Sequence, residues 1–305
     1  MRWAVVVVMA CVFVRVRALS TLASSSGHPL PTIPSGLVAV YKPQDWSSSD
    51  VVNKVKFVLQ KGAQALGGRK CRVKVGHGGT LDPLAQGVLV LGVGDGTRLL
   101  SEYLSGDKEY LGSGRLGAEM DTQDSTGTVM ETVDPSHVTR ERLEQALGGF
   151  RGEIMQLPPM FSALKRDGKK LYELARAGIE VEREPRPVTI FGLSLLDQCP
   201  ASGQQLQLPD FGLQVTCSGG TYVRTIMSDL GRAVDTRAYM TQLVRSRQGP
   251  FVLQDCLRQE EWTFERLCAA LVMGSSKAGL DSTALKSACI WPDEDNKRRG
   301  RERER

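Results

Sequence analysis

The sequence has little of what builds a metal centre or a disulfide framework. Its seven cysteines are widely spread without a CxxC pair, and its three histidines, His28, His77 and His137, are equally scattered. An odd number of cysteines without metal-ligand spacing argues against both kinds of site. We therefore expect reduced thiols and no metal.

Acidic residues are missing from the start of the chain, where the first is Asp45. The same stretch carries three arginines and a serine-rich segment at 20–26, a composition typical of organelle transit peptides. The apolar run at 4–14 is too short to span a bilayer, though long enough for a signal-peptide core. We predict a targeting leader and linker over residues 1–34. The mitochondrion is the expected compartment, with a plastid, or nucleus and cytoplasm if the leader is no signal, as alternatives.

The chain also lacks an internal repeat and a strong excess of charge. Its formal net charge is +5, which permits a polyanionic partner without requiring one. The hydrophobic fraction of 41% and the charged fraction of 24% are ordinary for a globular chain. Residues 291–305 differ, because they are charged with almost nothing apolar, and we expect this tail to be disordered.

Strand-like and helix-like segments alternate irregularly along the chain. Apolar runs predict strands at 36–41, 87–93, 110–116, 188–196 and 206–217. Amphipathic patterns predict helices at 51–59, 140–147, 171–177, 222–234 and 261–273. Because strands mostly follow strands, without regular βαβ alternation, the predicted class is α+β.

The most informative segment is KVGHGGTLDPLAQGVL, at residues 74–89. Asp82 precedes Pro83 just ahead of a predicted buried strand, so rigid backbone would hold its carboxylate. From these residues alone, an Asp-Pro turn with no further role is the simpler interpretation. The segment, however, resembles the catalytic motif of the TruB-type pseudouridine synthases.

The resemblance continues in the expected order over residues 36–250. The similar segments are GLVAVYKP at 36–43, WSS at 46–48, DKEY at 107–110, RLGAEMDT at 115–122, DSTG at 124–127, FRG at 150–152, QLPPMFSALK at 156–165, GKKLY at 168–172, RAGIE at 176–180, CSGGTYVRTI at 217–226, DLG at 229–231 and LVRSR at 243–247. So long an ordered match is far more specific than any single motif.

The resemblance has implications for the architecture. It implies the pseudouridine synthase fold, an α+β arrangement with a mixed, largely antiparallel central sheet and flanking helices. The catalytic domain would cover residues 35–250, and a short helical extension at 251–290 would stand in place of the RNA-binding PUA domain of many relatives. Gly112, Ser113 and Gly114 occupy positions where relatives usually have bulkier residues, so we expect that strand to be weakened.

The implied reaction is the isomerisation of uridine 55 in the T-loop of transfer RNA to pseudouridine, without a cofactor. Asp82 would be the nucleophile, attacking either the sugar C1′ or the base C6. Aspartate has a reference pKa of about 3.9, so it needs no base to ionise it. Arg224 would orient the carboxylate through paired hydrogen bonds. Tyr222 would help to move the C5 proton.

Several further residues are implied to bind the substrate. Tyr110 would stack on the flipped uracil, and Leu243 would form the wall of the pocket. His77 would wedge into the RNA loop as the target leaves it. Lys42, in the opening motif, is also expected to contact the substrate.

A basic run resembles the family's RNA-gripping insertion. It comprises Lys165, Arg166, Lys169 and Lys170, and clustered cations of this kind can replace the counterions of phosphates. The expected partner is the T-arm of transfer RNA, with T-loop-like hairpins of messenger RNA as further substrates. We expect a monomer that binds no membrane.

Two other interpretations stay open. Glycines at 92, 94 and 96 follow a strand, as in a dinucleotide-binding turn, but their spacing is GxGxG rather than GxGxxG. The second is a non-catalytic RNA-binding or tRNA-folding protein on the same scaffold. The presence of Asp82, Tyr110 and Arg224 together favours chemistry over this alternative.

Overall fold

The computed structural model describes residues 33–66, 72–279 and 289–290. The predicted leader, except for its last two residues, and the predicted disordered tail lie outside these ranges. The helices are α1 (Ser48–Ala65), α2 (Leu100–Ser105), α3 (Arg140–Ala146), α4 (Leu171–Arg176), α5 (Val223–Ala233) and α6 (Phe264–Lys277). The strands are β1 (Gly36–Lys42), β2 (Arg72–Val73), β3 (Val75–His77), β4 (Gln86–Val93), β5 (Lys108–Leu116), β6 (Ala118–Met120), β7 (Val129–Thr132), β8 (Gly152–Gln156), β9 (Lys165–Arg166), β10 (Lys169–Lys170), β11 (Arg186–Leu196), β12 (Asp210–Cys217), β13 (Ala238–Gln248), β14 (Phe251–Val252) and β15 (Cys289–Ile290).

One sheet organises the molecule. Its strand order is β1-β4-β13-β5-β12-β11-β8, with β3 added beside β4 and β14 beside β13. Of the pairings in this sheet, the one between β4 and β13 is parallel and the others are antiparallel. The predicted α+β class with a largely antiparallel sheet is confirmed. A dinucleotide-binding turn would instead require a doubly wound parallel sheet.

The sheet is covered by helices whose apolar faces form the core. Ile226 and Met227 of α5 pack with residues of β5 and β13. At the other end of the sheet, Leu59 of α1 packs with Leu267 and Leu271 of α6 against β1 and β4. Helix α6 lies in the predicted C-terminal extension, and these contacts make it part of the same core as α1.

The glycines of β5 have a packing function that the sequence prediction did not foresee. A Cβ added at Gly112 would lie 2.8 Å from Cε of Met227, and one at Gly114 would lie 3.1 Å from its Sδ. Without these side chains, α5 can approach the sheet closely. The glycines that were expected to weaken β5 therefore form the surface against which α5 packs. Arg224 is part of that helix.

Strand β13 is the main element that the apolar pattern did not predict. It lies at the centre of the sheet between β4 and β5, yet it contains Arg245 and Gln248, both of which are buried. Buried polar residues break the apolar pattern by which a strand is recognised. None of the helices in the described ranges is both long and apolar enough to cross a membrane.

Candidate active site

A cavity of about 310 Å³ opens between the loop after β3, strands β5 and β13, and the start of α5. Five residues predicted from the sequence line it together: Asp82, Tyr110, Tyr222, Arg224 and Leu243. They come from segments up to 161 positions apart, and the fold brings them to one place. The cavity is therefore the candidate active site.

Asp82 and Arg224 form an ion pair at the edge of the cavity. Nε of Arg224 lies 3.1 Å from Oδ2 of Asp82. The side chain of Arg224 is 3% exposed, whereas that of Asp82 is 35% exposed. An arginine guanidinium stays charged in proteins, and here its Nε faces the carboxylate. The carboxylate, unlike its buried partner, is accessible to a bound nucleotide.

The guanidinium does not grip Asp82 through the paired hydrogen bonds expected from the sequence. Its Nη1 donates to the carbonyl of Thr122 at 3.0 Å, and its Nη2 donates to that of Phe161 at 2.6 Å. Nε alone faces Asp82, and this contact lacks the alignment of a hydrogen bond. The two carbonyls fix the guanidinium plane, which leaves one edge for the carboxylate.

Tyr110 and Leu243 form neighbouring parts of the cavity wall. Tyr110 is 8% exposed on β5, and Leu243 is 6% exposed on β13. Burial raises the pKa of the Tyr110 phenol, and the neighbouring Arg245 opposes this shift. An aromatic face held in this way can stack on a base that has left its RNA stack.

Tyr222 immediately precedes α5, two residues before Arg224. An amide side chain holds its backbone from both sides, because Gln156 accepts a hydrogen bond from its N–H at 2.8 Å and donates one to its carbonyl at 3.0 Å. The guanidinium of Arg224 lies over its ring at 5.6 Å from the centroid. Burial raises the pKa of its phenol, so the hydroxyl is protonated at neutral pH.

Lys42 does not lie where a substrate contact was expected. Its side chain is fully buried, and Nζ donates to the carbonyls of Pro43, Trp46 and Pro83. Burial lowers the pKa of this amine to about 8, and attraction to Asp82 partly opposes the shift. With three carbonyl partners and no exposure, Lys42 holds the backbone after Asp82 instead of facing RNA.

Two buried cations that were not predicted from the sequence line the same cavity, Lys108 and Arg245. Lys108 donates to the carbonyls of Leu104 and Gly106, and burial lowers its pKa to about 8. Arg245 donates to the carbonyls of Val88 at 2.7 Å and Gly79 at 3.2 Å. Both residues stand inside the DKEY and LVRSR segments, and their places in these segments are the sequence signal that could have identified them.

His77 lies near the cavity but not among the residues that line it. It ends β3, and its Nδ1 accepts a hydrogen bond from the N–H of Gly79 at 3.4 Å. Burial lowers its pKa, and the positive charges of Arg245 and Lys170 lower it further. The ring is therefore next to the loop that leads to Asp82, and its predicted role in opening the RNA loop stays a prediction.

The predicted RNA-gripping residues form a two-stranded hairpin, β9–β10. Its turn residues Asp167 and Gly168 have φ angles of 51° and 81°. Lys165 and Lys169 are exposed, whereas Lys170 is partly buried and donates to the hydroxyl of Tyr172 at 3.3 Å. The hairpin rises directly from the cavity, because Leu164 lines the cavity and pairs with the N–H of Leu171.

The sequence matches a known protein family. Residues 67–223 match the family description "TruB family pseudouridylate synthase (N terminal domain)". The chain belongs to this TruB family. It is 41% identical over 249 residues to the human "Pseudouridylate synthase TRUB1", a match that covers 79% of this chain and 69% of that protein. Family membership confirms the resemblance and the expected isomerase class.

A bacterial relative agrees with this assignment, and a solved structure shares the fold. The "tRNA pseudouridine synthase B" of Symbiobacterium thermophilum is 47% identical over 227 residues, covering 74% of this chain and 70% of that protein. A chain in the crystal structure of a Cbf5-Nop10-Gar1 complex matches with a TM-score of 0.55 and 24% identity. That match covers 84% of this chain and 61% of the other, and it shows a shared fold.

Proposed function

We propose that this protein isomerises uridine 55 in the T-loop of transfer RNA to pseudouridine, with Asp82 as the nucleophile. The observation that carries the proposal is the Asp82–Arg224 pair at 3.1 Å, placed at the mouth of a cavity with an aromatic wall. Relatives whose names identify them as tRNA pseudouridine synthases support transfer RNA as the substrate.

The cavity suits a nucleotide that has left its stack. Tyr110 offers a flat apolar face for the uracil ring, and Leu243 closes the side of the cavity. An ionised carboxylate needs no general base, so it can attack the nucleotide at C1′ or at C6. The bond between N1 and C1′ then breaks with its electron pair left on the uracil, the uracil turns, and C5 forms a new bond to C1′. The bond to Asp82 is broken in the same sequence, because C5 displaces the carboxylate from C1′ or the carboxylate is eliminated from C6, and Asp82 is regenerated as the carboxylate.

The final step is the loss of the proton on C5, which balances the proton gained at N1. Tyr222 lies beside Arg224 at the cavity wall. Because its phenol is protonated at neutral pH, it can take the C5 proton only while passing its own proton on to water. In this scheme Arg224 stays charged throughout and keeps the carboxylate oriented.

The proposal is tested by mapping pseudouridine in transfer RNA treated with wild-type protein and with Asp82→Asn. We expect the wild type to modify position 55 and the variant to form no product while still binding the RNA. Equal product from both proteins would remove Asp82 from the mechanism. Absence of product from a folded, RNA-binding wild type would favour the non-catalytic alternative.

A further inference from the structure

Ser48 makes an unusual contact with the loop that carries Asp82. It is the first residue of α1, and the residue is 2% exposed. The Oγ accepts a hydrogen bond from the N–H of Leu81 at 2.8 Å and lies 3.1 Å from the carbonyl of the same residue, to which it donates. One hydroxyl thus satisfies both backbone groups of the residue immediately before Asp82.

The backbone after Asp82 is held as well. The carbonyl of Pro83 accepts from the N–H of Asp45 at 2.9 Å and from Nζ of Lys42 at 3.1 Å. The residues on either side of Asp82, Leu81 and Pro83, are therefore both hydrogen-bonded to the segment at 42–48. Since proline has no N–H, its carbonyl is the one backbone group through which position 83 can be held by hydrogen bonds.

The position of Ser48 is itself rigidly determined. Ser47 and Asp50 form a capping box at the start of α1, in which Ser47 Oγ accepts from the N–H of Asp50 at 3.1 Å. Just before them, the ring of Trp46 packs edge-on against Trp262, with the centroids 5.9 Å apart. The helix start is thus anchored to the rest of the fold independently of the catalytic loop.

We propose that Ser48 is a positioning residue for the Asp82 carboxylate, an inference that rests on the proposed function. Buried N–H and C=O groups are costly when unpaired, so loss of this hydroxyl forces the Leu81 backbone to move or to admit water. Either change shifts the residue that follows it. A displacement of about 1 Å at a reacting group can reduce a rate about 100-fold.

The test compares Ser48→Ala with Ser47→Ala in single-turnover assays on transfer RNA at saturating protein. Ser47 is an ideal control because it is adjacent, caps the same helix, and has no hydrogen bond to residues 80–85 in the part of the chain that the structure describes. We expect Ser48→Ala to lower the single-turnover rate between about 10-fold and 100-fold. RNA affinity should stay within about threefold for both variants, and Ser47→Ala should lower the melting temperature without changing the rate.

Two further measurements separate positioning from folding. Ser48→Thr keeps the hydroxyl and should recover most of the lost rate. In the wild type, the amide of Leu81 should exchange its hydrogen as slowly as the amides of β4, which can be measured even if Ser48→Ala does not fold. Equal rates for the two alanine variants, or rapid exchange at Leu81, would overturn the inference. If Asp82→Asn itself stays active, the proposed function fails instead.

Discussion

The cavity and the β9–β10 hairpin both carry positive charge, but this charge is buried in the cavity and exposed on the hairpin. The three buried cations are called the floor of the cavity below. On the floor, Arg224, Arg245 and Lys108 are buried and donate to backbone carbonyls. On the hairpin, Lys165 and Lys169 are exposed at either side of a tight turn. The chemistry requires a fixed carboxylate, and the buried cations that line the cavity with it are held by these hydrogen bonds. Binding of a polyanion requires charges that can exchange counterions, and these remain in water.

The difference in exposure of these charges indicates what each region contributes to binding and to the chemical step. An exposed charge near phosphate adds affinity that salt weakens, because counterion release is the driving force. A buried charge is screened much less and acts on the orientation and charge of its neighbour. We therefore expect substitutions on the floor to change the rate of the chemical step, and substitutions on the hairpin to change affinity.

The largest effect should come from Arg224→Lys. An ammonium group lacks the planar fork that reaches Thr122, Phe161 and Asp82 at once, so the carboxylate loses its fixed orientation. We expect the single-turnover rate to fall by about 100-fold or more, with RNA affinity within about threefold of the wild type. Rapid-quench measurement at saturating protein checks this.

Arg232→Lys is the matched control for this substitution. Arg232 lies two turns further along α5, and its guanidinium pairs with Asp229 and Glu119 at the surface. Ion pairs of this exposed kind contribute about 0–1 kcal/mol, so the rate should stay unchanged. A similar fall in both variants would mean that the helix, and not the Asp82 contact, is responsible.

A smaller effect, confined to binding, is expected from replacing Lys165 and Lys169 by alanine together. Affinity for transfer RNA should fall about tenfold at 0.1 M salt, and the slope of log K against log salt should become shallower by about 1.5. The saturated single-turnover rate should not change, since neither side chain lines the cavity. Fluorescence titration at several salt concentrations measures both quantities.

Lys54→Ala combined with Lys56→Ala, two exposed lysines on α1, is the control for loss of charge alone. It should alter the salt slope less than the hairpin pair does. An unchanged salt slope for the hairpin variant would contradict the inference that the hairpin contributes to RNA affinity and the floor to the chemical step. A lowered saturated rate would show instead that the hairpin shapes the cavity.

The smallest effect should appear at His77, which is influenced by both regions. Its folded pKa is lowered by burial and then by Arg245 and Lys170, so the unfolded chain takes up a proton first as the pH falls. The stability contribution is thus complete above pH 6.5 and is lost as the pH falls through the folded pKa. Between pH 7.5 and 5, we expect the wild type to lose more unfolding free energy than His77→Gln does. Urea denaturation at the two pH values measures this, and parallel losses would contradict it.

The sequence by itself determined the family, the α+β class and five of the residues that line the cavity. Asp82, Tyr110, Tyr222, Arg224 and Leu243 stand in motifs long enough to be recognised, and all five line one cavity. The apolar runs of β1 and β4 and the amphipathic pattern of α1 were visible because burial requires such patterns. These features depend on residue type and spacing, which a linear sequence contains.

Only the tertiary structure decided how those residues are held. Lys42 looked like a substrate contact, but it is buried against three carbonyls. Arg224 was expected to grip Asp82 with two hydrogen bonds, but two of its nitrogens are occupied by Thr122 and Phe161. Lys108 and Arg245 were passed over because charged residues are usually exposed. Which carbonyl a buried cation meets depends on how distant strands and loops pack, and sequence spacing does not contain that information.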